Sequence, residues 1–148
     1  MPHFGLMDDE SLGPVEGPLM RARLHIRGGK RRLRQGKTAA AIATLYDAVE
    51  GAMQSWLADP ERRKRVAFRA GEDPNDVRTA YDVLVRAGVL DGSFDFSAFE
   101  NLVEKALDGE VPAYDSGTLL QGLESVMTQL GVMPFDEESL PAEDPKTF

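Results

Sequence analysis

The fold is decided by residues 18–58, which read PLMRARLHIRGGKRRLRQGKTAAAIATLYDAVEGAMQSWLA. In the first half of this stretch, apolar or small residues recur at spacings of three and four, which places them on one side of a helix. These residues are Leu19, Ala22, Ile26, Gly29 and Leu33. A first helix is therefore predicted from Pro18 to Gln35, with Gly29 as the point where a neighbouring helix comes close.

Gly36 separates this helix from a second one, because glycine readily takes the left-handed conformation that ends a helix. Thr38 is predicted to cap the second helix with its hydroxyl. That helix should run to Ala58, since the next residue precedes Pro60 and resists the helical conformation. Its wide apolar face consists of Ile42, Leu45, Tyr46, Val49, Met53 and Trp56. A corner this short requires the two helices to be antiparallel.

Four further helices are indicated by start and stop signals along the rest of the chain. They are predicted between Pro60 and Gly71, between Asp73 and Gly88, between Ser97 and Gly109, and between Asp115 and Gly131. Ser97 and Glu100 have the spacing of a capping box, and Asp115 or Ser116 is expected to cap the last helix. Asp91-Gly92 fits a small hairpin turn, but a single short hairpin is marginal, so a loop is favoured there.

These signals predict an all-α protein with a single domain, a bundle of five to six helices built on the hairpin of residues 18–58. The bundle is expected to occupy residues 18–133. Residues 1–17 have no period and are predicted to be a flexible arm, with docking of Leu6, Leu12 and Val15 onto the bundle as the alternative. Residues 134–148 are dominated by Asp, Glu and Pro and are predicted to be a disordered acidic tail.

Composition limits the function classes. The chain of 148 residues has no cysteine, which excludes disulfides and thiolate metal sites. No apolar run approaches the roughly 18 residues of a membrane span, and the start of the chain lacks a signal-peptide pattern. We therefore expect a cytoplasmic protein without a membrane partner.

The net charge of −8 is divided unevenly between the two halves of the chain. Residues 1–70 hold 13 Lys/Arg and 8 Asp/Glu, whereas residues 71–148 hold 4 and 17. Such asymmetry fits a basic nucleic-acid-binding face, and it equally fits two halves that neutralise each other. We favour the second interpretation, because an acidic protein repels phosphate backbones at long range.

The candidate interaction face is an arginine row on the polar side of the first helix. It consists of Arg23, Arg27, Arg31 and Arg34. A row of cations is all that phosphate contacts require, but no aromatic residues interleave to stack bases. Nucleic-acid binding by this row is therefore the alternative hypothesis for function.

No catalytic, cofactor-binding or metal-ligating residue is predicted. Gly36-Lys37-Thr38 resembles the end of a phosphate-binding loop, but Arg31 stands where that motif needs its first glycine. No serine sits in a nucleophile elbow. The sequence thus favours a protein that is not an enzyme and has no cofactor. An enzyme with a paired-carboxylate site between two helices is the third hypothesis, since acids are plentiful and local sequence does not show such a pair.

Residues 18–58 resemble the opening of HEPN domains, which are helical bundles of prokaryotic toxin, antitoxin and nucleotidyltransferase-partner systems. The resemblance is carried by a charged first helix, the turn at Gly36, and the run LYDAVE at residues 45–50 on the second helix. HEPN nucleases carry an Arg-x4–6-His motif in a late helix, and here no histidine follows His25. The resemblance therefore implies a member without that ribonuclease activity. A single tetratricopeptide-like hairpin is the competing resemblance, but no second copy at a period of about 34 residues is visible.

The sequence thus predicts a non-catalytic, HEPN-like helical interaction protein. Self-association as a homodimer is expected from the width of the second helix's apolar face. The resemblance implies a protein partner such as a nucleotidyltransferase.

Overall fold

Two long antiparallel helices form the centre of the structure, a computed structural model that describes residues 12–143. Helix α1 spans Gly13–Arg34 and helix α2 spans Thr38–Ala58. Gly36 lies at the corner between them with a φ of +74°, in the left-handed region predicted for it. Gly51 of α2 lies against Pro18 and Ala22, near the start of α1. The antiparallel hairpin is therefore confirmed.

Four more helices follow, and the all-α prediction is confirmed. They are α3 (Pro60–Arg63), α4 (Val77–Arg86), α5 (Phe96–Leu107) and α6 (Ser116–Gln129), with a short 3-10 helix at Glu137–Ser139. No strand occurs within residues 12–143. Helix α2 packs against each of the other five helices. Its apolar face is consequently used inside the molecule, where Ile42, Leu45 and Val49 are fully buried.

An aromatic cluster joins α2, α4 and α5. The rings of Tyr81 and Phe96 stack with centroids 4.4 Å apart, and Tyr46 lies 5.9 Å from Phe99. Phe94 meets Phe99 edge to face at 5.6 Å, a favoured geometry for aromatic pairs. The Tyr81 hydroxyl donates a hydrogen bond to the Phe94 carbonyl, 3.0 Å away. This cluster fixes the start of α5 and the loop before it.

The N-terminal boundary of the bundle differs from the prediction. Helix α1 begins at Gly13, five residues before the expected start, and Pro18 lies inside it. The chain already has a proline in the first turn, at Pro14, where the missing N–H costs nothing. The Ser55 hydroxyl donates to the Val15 carbonyl at 2.8 Å, which holds this first turn on α2. The predicted flexible arm is thus wrong for residues 13–17, and residues 1–11 lie outside the described part.

Two predicted caps are also wrong. Thr38 is the first residue of α2, and Lys37 precedes it without a side-chain cap. Helix α5 is capped by Asp95, whose carboxylate accepts from the Ala98 amide at 3.0 Å, and not by Ser97. Aspartate and serine are similar caps, and the earlier start brings Phe96 into the core. Asp115 does cap α6, as one of the two expected residues.

The segment between Pro60 and Gly71 forms one helical turn instead of the longer basic helix that was predicted. The chain from residue 64 to residue 76 then has no regular structure. Arg86 of α4 holds this loop in position. Its guanidinium donates hydrogen bonds to the Glu72 carboxylate at 2.8 Å and to the Ala67 carbonyl at 2.8 Å. The bond from Arg86, followed by the Arg69 amide, lowers the pKa of Glu72 to about 2.

This ion pair predicts an acid-sensitive contribution to stability. Folding lowers the pKa of Glu72 from 4.5. The ion pair therefore contributes fully to the free energy of unfolding above pH 4.5, and this contribution is lost as the pH falls toward 2. In urea titrations we expect a Glu72→Gln variant to be less stable than the wild type at pH 7, with a difference that shrinks steadily below pH 4.5. Glu104→Gln, at an exposed position without an ion pair, is the control and should differ little at any pH. If the difference in free energy of unfolding between the wild type and Glu72→Gln stays constant down to pH 2, the Glu72–Arg86 ion pair is not its source.

Candidate functional site

An open cavity of about 580 Å³ lies between α5 and α6. Its floor is apolar and aromatic, and Pro112 and Tyr114 in the connecting loop form one wall. The apolar floor consists of Phe94, Ala98, Phe99, Leu102 and Leu119. A volume of this size is in the range of sites that take small molecules or the anchoring side chains of a partner.

Local sequence explains why the cavity exists. Helices α5 and α6 each pack against α2, and the irregular chain of residues 108–115 connects them. Phe94 closes one end by packing on Gly122, where a Cβ atom would lie 2.6 Å from the Phe94 ring. A side chain at residue 122 would therefore displace the ring. Gly122 thus shapes the cavity, a role that no local sequence signal indicates.

The two carboxylates beside the cavity belong to Asp95 and Asp115, and both serve as helix caps. Asp115 accepts from the Thr118 amide at 3.1 Å and from the Thr118 hydroxyl at 2.9 Å. These two bonds lower the pKa of Asp115, with the backbone bond as the larger cause. Lys105 lines the cavity without an ion pair to any described residue. The charged groups that line the cavity are thus two capping carboxylates and one lysine.

The stretch of chain that holds the cavity is strongly acidic. Residues 91–124 contain eight carboxylates and a single cation, Lys105. The carboxylates belong to Asp91, Asp95, Glu100, Glu104, Asp108, Glu110, Asp115 and Glu124. Glu100 pairs with Arg78 at 3.0 Å, and Glu124 lies 3.8 Å from Lys30. Most of these carboxylates thus have no ion pair with a cation in residues 12–143.

The arginine row on α1 is largely covered by another part of the chain. Residues 132–143, here called the C-terminal strap, run along it. Arg23 Nε donates to the Val132 carbonyl at 3.1 Å, and its guanidinium lies over the Phe135 ring at 5.5 Å. Arg27 donates to the Pro141 carbonyl at 2.7 Å.

Arg31 and Arg34 complete the row. Arg31 Nε bonds both Glu143 oxygens, at 3.1 and 3.2 Å, and Arg31 is buried. Arg34 is exposed. The structure therefore covers Arg23, Arg27 and Arg31 and leaves only Arg34 open to solvent.

The strap corrects the prediction of a disordered tail over residues 134–143. Leu140 is buried, and the Asp136 carboxylate accepts from the Glu138 amide at 2.9 Å to start the 3-10 helix. The physical reason is the arginine row, which offers a line of hydrogen-bond donors to a segment that cannot form a core of its own. Residues 144–148 lie outside the described part of the chain.

Two further features are absent from residues 12–143. No three His, Asp or Glu side chains come together in a way that would hold a metal ion. None of the helices in this part of the chain combines the length and apolar character that crossing a bilayer requires. Comparisons with protein-family models, with curated proteins and with solved structures found no match. Function is therefore inferred from the geometry of the cavity and of the arginine row.

Proposed function

We propose that this protein is a non-catalytic helical interaction protein that binds a basic amphipathic segment of a partner protein in the cavity between α5 and α6. The observation that supports the proposal is an apolar cavity of about 580 Å³ in an acidic stretch of the chain. A HEPN-like character, with a nucleotidyltransferase as one conceivable partner, is part of the same proposal.

The shape of the cavity favours apolar side chains as anchors. Phe94, Tyr114 and Leu119 are half-buried and offer ring faces and methyl groups to an occupant, and the mouth is open to solvent. Burying a few large side chains in such a concave site is how protein interfaces concentrate their binding energy. A helix with one apolar face presents side chains at the spacing that a groove of this kind receives.

The charge of the site favours a basic partner. Eight carboxylates in residues 91–124 attract lysine and arginine and repel acidic chains. Such complementarity acts mainly on specificity and on the rate of association. An occupant with apolar anchors between flanking cations matches both properties of the site.

The same geometry argues against catalysis at the cavity. Asp115 is committed to the cap of α6, and the lowered pKa keeps it ionised, so it is a poor proton donor near neutral pH. Asp95 is committed to the cap of α5.

The homodimer expected from the sequence is kept as a proposal, but it needs a different surface. The apolar face of α2 packs against the other five helices, so it is not available to a second copy. Leu107 on α5, with 73 % of its surface exposed, is the most exposed large apolar side chain within residues 12–143. A second copy at the cavity would therefore also be consistent with the site.

Peptide binding tests the proposed site. The probe is a labelled synthetic helix with leucine on one face and lysine on the other, and the matched peptide carries glutamate in place of lysine. We expect saturable binding of the lysine peptide and none of the glutamate peptide. Ala98→Trp places an indole in the cavity from an exposed helical position and should weaken binding on the order of tenfold or more, the usual effect of losing a central anchor.

The control is Ala40→Trp, which puts the same side chain at an exposed helical position outside the cavity and should leave binding unchanged. Light scattering on the same variants separates the two occupants. If a second copy fills the cavity, the wild type is a dimer and Ala98→Trp is a monomer. Equal binding of both peptides, or equal effects of the two tryptophans, would refute the proposed site.

A further inference from the structure

The pairing of charges under the C-terminal strap is incomplete. Helix α1 carries seven Lys/Arg and one Glu, and the strap carries four acids and no cation. Only one of those acids, Glu143, forms an ion pair with the arginine row, at 3.1 Å from Arg31. Glu137 and Glu138 are exposed, and the Asp136 carboxylate is used within the strap itself.

Arg23 and Arg27 are consequently satisfied by neutral groups. Both donate to backbone carbonyls of the strap, and neither has a carboxylate partner among the described residues. The Nε atom of Arg27 is buried without any hydrogen-bond partner there. A phosphate or carboxylate carries a full negative charge and can accept two parallel N–H bonds from one guanidinium, which a single carbonyl oxygen cannot do. An anionic ligand would therefore satisfy these two guanidinium groups better than the strap does.

Excess positive charge remains on the neighbouring turn of α1. Burial lowers the pKa of Arg32, and the adjacent charge of Arg31 lowers it further. Lys30 has only a distant acid, Glu124 at 3.8 Å, and Arg34 is exposed at the open end of the row. An anion that approaches the row would thus contact the exposed Arg34 first, beside three arginines that the strap covers.

The strap has the construction of a removable cover. Its first residues are fixed, because Val132 belongs to the main core cluster and Met133 and Phe135 pack against that cluster. Beyond Phe135 the apolar anchor is Leu140, which is buried but lies outside the cluster. Its other contacts to the row are two bonds from arginines to carbonyls, one ion pair and one ring contact. Displacing the chain beyond Phe135 would expose Arg27 and Arg31 and leave Val132 in the core.

We propose that the arginine row is a binding surface for the phosphodiester backbone of a nucleic acid, and that the C-terminal strap is an intramolecular competitor that closes it. The row supplies evenly spaced guanidinium groups along one helix face, and phosphates are the anions that these groups bind best in a repeating line. The strap occupies the same donors with weaker acceptors. Binding is therefore weak in the closed protein and increases when the strap is loosened.

Anisotropy measurements on the full chain test this proposal, with labelled oligouridine and oligothymidine of equal length as probes. The variant Leu140→Ser/Glu143→Gln removes the apolar anchor and the ion pair of the strap. We expect it to bind at least about tenfold more tightly than the wild type at low salt. Arg27, Arg31 and Arg34 are then the cations open to the oligonucleotide. Three phosphate contacts to a single strand predict a slope of about −2 for the logarithm of the association constant against the logarithm of salt concentration. The affinity should therefore fall about 15-fold between 50 and 200 mM salt.

A matched pair of charge reversals locates the surface. In the strap variant, Arg27→Glu/Arg31→Glu should abolish the gain, whereas Lys64→Glu/Arg69→Glu, with the same change in net charge at exposed positions, should keep it. A preference for oligouridine identifies RNA as the ligand, and equal binding identifies the backbone alone. Ala98→Trp should have no effect, which separates this surface from the cavity.

Three results would overturn the proposal. The first is equal affinity of the wild type and the strap variant. The second is an equal loss of affinity in both charge-reversal variants, which would mean that the oligonucleotide responds to the net charge of the protein and not to the arginine row. The third is a strap variant that binds anionic lipid vesicles but neither oligonucleotide. Circular dichroism of each variant confirms that the helices are intact.

Discussion

A Phe99→Ala variant is expected to lose about 3–5 kcal/mol of its free energy of unfolding, the usual cost of truncating a buried phenylalanine. Phe99 is 2 % exposed and lies within 6.2 Å of the ring centroids of Tyr46, Phe94 and Phe96. Removing the ring breaks up the aromatic cluster and also removes the floor of the cavity. The variant should therefore unfold at much lower urea concentration and lose binding of the lysine peptide.

The same helix supplies a control for this substitution. Leu107, with 73 % of its surface exposed, can be replaced by alanine at the other end of α5. That change should alter the free energy of unfolding by no more than about 0.5 kcal/mol, because little apolar surface is removed from contact. If Phe99→Ala and Leu107→Ala unfold at similar urea concentrations, the aromatic cluster does not stabilise the fold as described.

Gly29→Ala is expected to lower the free energy of unfolding by about 1–2 kcal/mol. A Cβ atom at residue 29 would lie 2.6 Å from Cδ2 and 2.7 Å from Cγ of Leu45, which is fully buried on α2. Overpacking of this kind costs about 1–3 kcal/mol. The gain from replacing a helical glycine by alanine, up to about 1 kcal/mol, offsets only part of that cost.

The neighbouring glycine is a close control. At Gly28 the nearest atom to an added Cβ is the flexible guanidinium end of Arg32, at 3.4 Å. Gly28→Ala should therefore be neutral or raise the free energy of unfolding by up to about 1 kcal/mol. Urea denaturation of the two variants is the measurement, and equal effects would contradict the close approach of α1 and α2 at Gly29.

Elements with a long apolar period could be predicted from the sequence. Helix α2 has the predicted bounds, Thr38–Ala58, because six large apolar residues define its face and Asp59-Pro60 ends it. The close approach at Gly29 was also predictable, since a glycine in an apolar stripe leaves room for a neighbour. Helix ends were less accurate where several residues could cap, as with Asp95 and Ser97.

The two candidate sites were less accessible to sequence reasoning. The cavity depends on Phe94 meeting Gly122, a contact between residues far apart in the chain that neither residue indicates alone. The arginines themselves were identified from their helical spacing. Their cover was not, because the strap has no period and the residues that it contacts on α1 lie more than 100 positions away in the chain.

The position of α2 in contact with every other helix bears on the order in which the protein assembles. Its largest interface is with α1, and the residues that meet there are separated by one short corner. Contacts that are local in sequence require little loss of chain entropy to form, so they tend to appear early and quickly. The hairpin can thus act as a template on which the C-terminal helices condense.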